Sequence, residues 1–289
     1  MYYAQNREDL VLLSFFAGEK DGFYVDIGGF DPDLDSVTKM FYLMGWRGIN
    51  VEPQPDRYKL FQKRRKRDIN LNVGVSDKAS KLKLRVYQSG GLSTFSDSLK
   101  QDYENQSDQD TDSYRDIMVP VVTLQSIFAE NKVQHISFLK VDVEGLEYEV
   151  LSSNDWEKYR PEVLCIEANH VENDWRPLLR KAEYELVFND GLNDYYADSR
   201  TDRAKKFDFV KEVVHDRGGG VRDDHYQLLL DWFNYGSDKG SHVEALAAEN
   251  DRLHQKIAAQ EAEWSNPTLL VKRLAYLAKS RGGKGKSRE

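Results

Sequence analysis

Tyr24-Val25-Asp26-Ile27-Gly28-Gly29-Phe30-Asp31-Pro32 is a short apolar run that breaks at two glycines and ends among acids. A second apolar run, Gly48-Ile49-Asn50-Val51, ends in Glu52, twenty-four residues after Gly28. Strand, glycine turn, helix, strand and acid form the unit that holds an adenosine ribose at the carboxyl edge of a parallel sheet. Glycine has no Cβ, so Gly28 and Gly29 let the backbone turn sharply and let a ligand approach the main chain. Glu52 falls at the tip of the neighbouring strand, where it can accept hydrogen bonds from two ribose hydroxyls. The competing reading is an α/β turn with glycines for packing beside a solvated acidic loop. The acid at the second strand end counts against it.

The acids decide which adenosine cofactor is compatible. Nicotinamide and flavin cofactors need a pyrophosphate cradle, usually Gly-x-Gly-x-x-Gly. Here the third glycine is absent, and Asp26, Asp31, Asp33 and Asp35 crowd the turn. Carboxylates repel a diphosphate strongly in a partly desolvated cleft. They suit a ligand carrying an ammonium and a sulfonium, which is S-adenosylmethionine. A nicotinamide-dependent oxidoreductase is therefore set aside.

The length of 289 residues accommodates one α/β domain of about 200 residues plus appendages. The single cysteine, Cys165, excludes an internal disulfide framework and fits a reducing compartment. It lies in Val163-Leu164-Cys165-Ile166 and reads as a core residue. No basic start precedes an apolar stretch, and no apolar run reaches membrane-spanning length, so the expected location is the cytoplasm. The net charge of −8 is uneven: 266–289 carries +6, 242–265 carries −3 and 1–241 carries −11. An acidic body argues against nucleic-acid partners.

Strands are expected over 22–27, 47–52, 69–75, 135–142, 161–167 and 184–189, with helices over 36–45, 56–65, 123–131, 145–152 and 173–182. Leu10-Val11-Leu12-Leu13-Ser14-Phe15-Phe16 reads as a helix packed on the sheet. This alternation is that of a mostly parallel sheet with helical crossovers. Lys81–Tyr87 and Ile117–Val122 read as an extra edge pair. The stretch between them, Gln88–Asp116, is too polar for a core; it is either a disordered loop or a substrate lid. Residues 1–197 thus form the α/β body. Residues 198–241 read as an irregular linker with a short docking helix at Tyr226–Phe233.

Farther on, Val243, Leu246, Asn250, Leu253, Ile257, Gln260 and Trp264 follow 3-4 spacing. The spacing makes 242–265 either a short coiled coil that pairs two copies or one solvated helix. Residues 266–289 are a basic amphipathic tail. It either lies on an anionic membrane, at the inner face, or is solvated.

With these elements in order, residues 2–197 resemble the FkbM family of S-adenosylmethionine-dependent methyltransferases. The resemblance rests on Tyr3-Ala4-Gln5-Asn6-Arg7-Glu8-Asp9, Phe23-Tyr24-Val25-Asp26-Ile27-Gly28-Gly29, Gly45-Trp46-Arg47-Gly48-Ile49-Asn50-Val51-Glu52-Pro53 and Asn72-Val73-Gly74-Val75-Ser76-Asp77. It continues through Leu92-Ser93-Thr94, Phe138-Leu139-Lys140-Val141-Asp142-Val143-Glu144-Gly145 and Ile166-Glu167. The family pattern usually has Ser where this chain has Ala4, and nothing in 198–289 matches. The resemblance implies a Rossmann-like class I methyltransferase fold, a seven-stranded, mostly parallel sheet with the last strand antiparallel. The hairpin Tyr184–Asn189, Asp190-Gly191, Asn193–Ala197 fits its final strands.

It also implies an O-methyltransferase acting on a hydroxyl of a sugar, glycan or related polyhydroxylated metabolite. Gly28 and Gly29, with Phe30 beside them, would contact the methionine part. Asp26 and Asp31 would offset its charge, Glu52 would hold the ribose, and Ser76 and Asp77 would meet the adenine edge. Gln5, with Glu8 and Asp9, would close over the cofactor; the other reading of Glu8 and Asp9 is plain helix-start charge. Three roles are open to Asp142 and Glu144. They act on the acceptor proton as a base. Or, with Glu167, they hold a divalent metal, which is not favoured. Or Asp142 binds the methionine ammonium and Glu144 caps the next helix. His170 is a further candidate base. The alternative is a catalytically silent methyltransferase-fold module acting in a complex through its coiled coil and basic tail.

Overall fold

A computed structural model describes residues 2–16, 18–87, 91–105 and 113–208. The coiled-coil stretch, the basic tail and the docking helix lie outside them. In chain order the first half comprises α1 (Glu8–Phe15), β1 (Phe23–Ile27), α2 (Lys39–Leu43), β2 (Arg47–Val51), α3 (Pro55–Arg64), β3 (Ile69–Leu71), β4 (Gly74–Val75), β5 (Ser80–Tyr87) and α4 (Asp97–Asn105). The second half comprises β6 (Tyr114–Val122), α5 (Leu124–Glu130), β7 (Phe138–Val141), α6 (Glu147–Ser152), β8 (Val163–Glu167), α7 (Arg176–Lys181), β9 (Tyr184–Asn189), β10 (Asn193–Asp198) and α8 (Arg203–Asp208).

Seven strands form one sheet in the order β3-β2-β1-β7-β8-β10-β9. The pairs from β3 to β8 are parallel, and β10 runs antiparallel to both β8 and β9. This is the sheet expected of the class I methyltransferase fold. The strand order reverses between β1 and β7, so the crevice of an open α/β sheet falls beside Gly28 and Asp142.

The central strands are almost wholly apolar because helices cover both faces. On one face Phe16, Phe41, Trp46, Tyr24 and Phe138 pack ring against ring, Phe41 and Phe138 with centroids 4.7 Å apart. On the other, Val25, Ile27, Leu139 and Val141 meet Leu124, Phe128, Val150 and Leu151. Cys165 is buried and free, as its apolar neighbours suggest. Side chains alternate along a strand, and parallel neighbours in register share a face. The register therefore lines up a polar row, Asn70, Asn50, Asp26, Lys140 and Cys165, within the aromatic face.

Two expectations are corrected. The strand expected over 69–75 breaks at Asn72, whose side-chain amide donates to the carbonyls of Glu52 and Pro53. Past the break, β4 joins β6 and β5 in a separate three-stranded sheet, so the edge pair is no appendage of the main sheet. The polar stretch after β5 also contributes to the interior. Thr94, Ser96, Leu99, Lys100 and Tyr103 are buried, and Thr94 exchanges two backbone hydrogen bonds with Arg85. Beyond residue 197 the chain continues into α8. Its Arg203 sits on the Phe16 ring and pairs with Glu19 and Glu162.

Candidate active site

β1, β2, β7 and β8 all end at one edge, and a cleft of about 670 Å³ opens there. Its lining includes Gln5, Gly28, Gly29, Phe30, Glu52, Asp142, Glu144, Glu167 and His170. The tertiary structure thus brings together residues spread from the first block to the end of β8. Asp26, Asp31, Ser76 and Asp77 are not among the lining residues. Asp26 lies beneath the turn and accepts from Thr38 Oγ1 at 3.0 Å. Asp31 is taken by Arg57 at 2.8 Å and by the backbone of Asp33 and Leu34. In the third-strand block the lining falls to Val73, Gly74 and Val75.

The glycine turn is set by packing. Gly28 has φ +83°, and a Cβ there would come 1.7 Å from the Asp142 carbonyl oxygen. The amides of Gly28 and Gly29 both donate to Val51 O, at 3.0 and 3.2 Å, so neither N–H is left to cradle a phosphate. Phe30 follows with φ 52° and lies under the Arg57 guanidinium.

Glu52 is 3% exposed. One carboxylate oxygen accepts from Phe30 N and the other from Gln54 N, both at 2.8 Å. Burial pushes its carboxyl up to about 7, against the pull of those two amides. Each oxygen keeps a lone pair for a hydroxyl.

Lys140 is the residue that sequence reading passed over. Its ammonium donates to Gly28 O at 3.0 Å, pairs with Asp142 Oδ2 at 3.0 Å and lies 3.7 Å from Asp26 Oδ1. One buried cation thus joins the glycine turn, the acid beneath it and the acid at the β7 end. The signal was available: a lysine inside Phe138-Leu139-Lys140-Val141 can be buried only with partners.

The three acids after β7 and β8 converge. Carboxylate oxygens of Asp142, Glu144 and Glu167 all lie within 4.8 Å of one another, close enough to share a divalent cation. Burial, then the neighbouring negative charges, raises both Glu144 and Glu167 well above the usual carboxyl range. Two acids this close cannot both be cheaply ionised. The trio is thus built to hold a proton or a cation near neutral pH. His170 Nε2 lies 3.9 Å from Glu144 Oε2. The helix-capping task falls to Glu147, which accepts from the amides of Val143 and Gly145. Glu8 and Asp9 are buried and bind backbone amides of Asn6, Tyr3 and Leu10, which leaves Gln5 as the opening block's contribution to the cleft.

A family model described as the methyltransferase FkbM domain matches residues 26–186, more than half of the chain. The chain belongs to the FkbM methyltransferase family. No curated protein and no solved structure matches it. The FkbM match runs from Asp26, beneath the turn, into β9, and so includes every strand that contributes an acid to the cleft. Among the described residues no helix is long and apolar enough to cross a membrane.

Proposed function

We propose that this FkbM domain is an S-adenosylmethionine-dependent O-methyltransferase whose acceptor is a hydroxyl of a sugar, glycan or related polyhydroxylated metabolite. One observation carries the reading: Glu52 and the Asp142–Glu144–Glu167 trio open onto the same cleft, with the glycine turn between them. The residues fit the cofactor. Glu52 offers two lone pairs to ribose hydroxyls, Pro53, Val73 and Val75 supply an apolar wall for a purine, and Asp142 is a counter-charge for an ammonium. The consumed amides of Gly28 and Gly29 speak against a dinucleotide. When bound, S-adenosylmethionine supplies an electrophilic methyl group.

The chain's own side chains handle the acceptor. A hydroxyl is a poor nucleophile until its proton has somewhere to go, and a base is most effective when its pKa lies near the working pH. Glu144, raised toward neutrality, meets that requirement. Glu167 is the more strongly raised of the two and serves as the protonated neighbour that keeps the pair from carrying two charges. His170, partly exposed beside Glu144, offers the proton a route to water.

Titration calorimetry of the full chain with S-adenosylmethionine tests the cofactor, and absence of any binding heat from folded protein rejects it. Incubation with methyl-labelled S-adenosylmethionine and fractionated glycan, lipid-linked sugar and small-molecule extracts tests the acceptor. Cofactor binding with no label transferred to any fraction would favour the silent-module alternative.

A further inference from the structure

The acceptor end of the cleft is covered by the segment that composition assigned to a polar loop. Three of its contacts fall on two consecutive residues. Thr94 Oγ1 donates to Glu144 O at 2.7 Å, and Tyr103 OH donates to Glu144 Oε2 at 3.2 Å. Leu99 Cδ1 occupies the space that a Cβ on Gly145 would need, 2.8 Å away. Glu144 itself has φ 54°, a left-handed conformation uncommon for a residue with a side chain. A helix thus reaches across the cleft to hold one carboxylate in an unusual backbone setting. Tyr103 is held in turn. It is 6% exposed, packs with Leu92 and Leu99, and meets Tyr87 edge-on at 5.5 Å and His170 at 6.4 Å.

We infer that Tyr103 is a positioning residue for the reaction: its hydroxyl holds Glu144 Oε2, so that Oε1 takes the proton of the acceptor hydroxyl. This rests on the reading of Glu144 as the base. In that step the acceptor O–H bond breaks, its electron pair stays on the acceptor oxygen for the new bond to carbon, and the proton goes to Oε1. Tyr103 suits the task because it is a neutral donor. A lysine or arginine here would suppress the basicity of Glu144, whereas a phenol orients the carboxylate and favours its charged form modestly. Tyr103 is not itself the base, since burial and the adjacent Glu144 charge push its phenol further from ionisation.

The groups facing Glu144 are Asp142 and Lys140 on the β7 side, Glu147 on α6, Glu167 and His170 after β8, and Tyr103 on α4. Burial, Asp142 and Glu147 raise its carboxyl, while Tyr103 and Lys140 lower it. Removing the phenol oxygen therefore has a defined sign. The test is a pH titration by carbon NMR of the full chain labelled at glutamate carboxyls, with Glu144→Gln assigning the resonance. In Tyr103→Phe the Glu144 midpoint should rise by about one pH unit, the scale of one hydrogen bond to a charged group. S-adenosylmethionine affinity should stay within about two-fold, because the phenol faces the acceptor end.

Incorporation of 3-fluorotyrosine in place of Tyr103 strengthens the donor and should move the midpoint down. It keeps the shape of the ring if the phenylalanine variant folds poorly. A Glu144 midpoint unmoved in both variants overturns the inference, whatever the activity. If the midpoint moves, the base assignment is read from turnover on the acceptor fraction found above. An acid limb of kcat/KM that shifts with the midpoint supports the positioning role, and a loss equal at all pH values overturns it. Wild-type protein that binds cofactor yet labels no fraction fails the proposed function alone.

Discussion

Lys140→Met should cost this protein much of its stability, and the reason is Asp26. The Asp26 side chain is 1% exposed. Its Oδ2 accepts from Thr38, while its Oδ1 has no hydrogen-bond partner and faces the Lys140 ammonium at 3.7 Å. Removing the lysine leaves a buried carboxylate without a counter-charge, and also releases Gly28 O and Asp142 Oδ2. Breaking a buried ion pair by deleting one partner costs about 3–5 kcal/mol, against a total of about 5–15 kcal/mol for a typical protein. The assay is urea unfolding of wild type, Lys140→Met, Asp26→Asn and the double variant at one pH. Asn keeps an acceptor for Thr38 and removes the charge. The double variant should therefore recover about 2 kcal/mol relative to the sum of the single losses. A lysine variant that loses less than about 1 kcal/mol, or single losses that simply add, would refute the clamp.

Gly28→Ala should destabilise by at least about 2 kcal/mol, because it combines a positive φ with a clash against the Asp142 backbone; a normal unfolding midpoint would show that the turn relaxes. Glu52→Ala should weaken S-adenosylmethionine binding by about thirty-fold or more by calorimetry. It should also cost about 1–3 kcal/mol of folding stability, since the amides of Phe30 and Gln54 lose their acceptor; unchanged affinity would remove the ribose assignment. Burial raises Asp9, Glu52 and Glu147 each to about 7. A carboxyl raised in the folded state contributes stability that is fully present below its unfolded pKa and is lost as pH rises through the folded one. The melting temperature should therefore fall between pH 5.5 and pH 8.5, and a rise across that window would contradict the shifts. Light scattering of the full chain and of a chain lacking 242–289 tests the dimer expected of the coiled coil; equal protomer counts would discard it.

Much of the architecture was legible because its signals are local. Apolar runs of strand length, glycines where the chain must turn and a regular alternation with helical patterns sufficed for the sheet. The site was legible in part. Glu52, Asp142 and Glu144 sit at strand ends, and strand ends in a parallel sheet share one edge. Sequence spacing says less about where a side chain points. Asp26 is one residue from Ile27 and two from Gly28, yet strand parity turns it beneath the sheet, and Asn72 draws the chain away before Ser76 and Asp77 can line the cleft.

Taken alone, the sequence determined the sheet, its glycine turn and the acids along its carboxyl edge, since each depends on contacts within a few residues or on a strand's own length. The clamp and the cover were decided only in three dimensions. Lys140 neutralises Asp26 because β1 and β7 run parallel in register, a pairing between residues more than a hundred positions apart. Tyr103 reaches Glu144 because α4 finds a flat place to rest at Gly145. Charges and hydroxyls that look solvated in a polar string become specific once burial removes the water that would otherwise satisfy them.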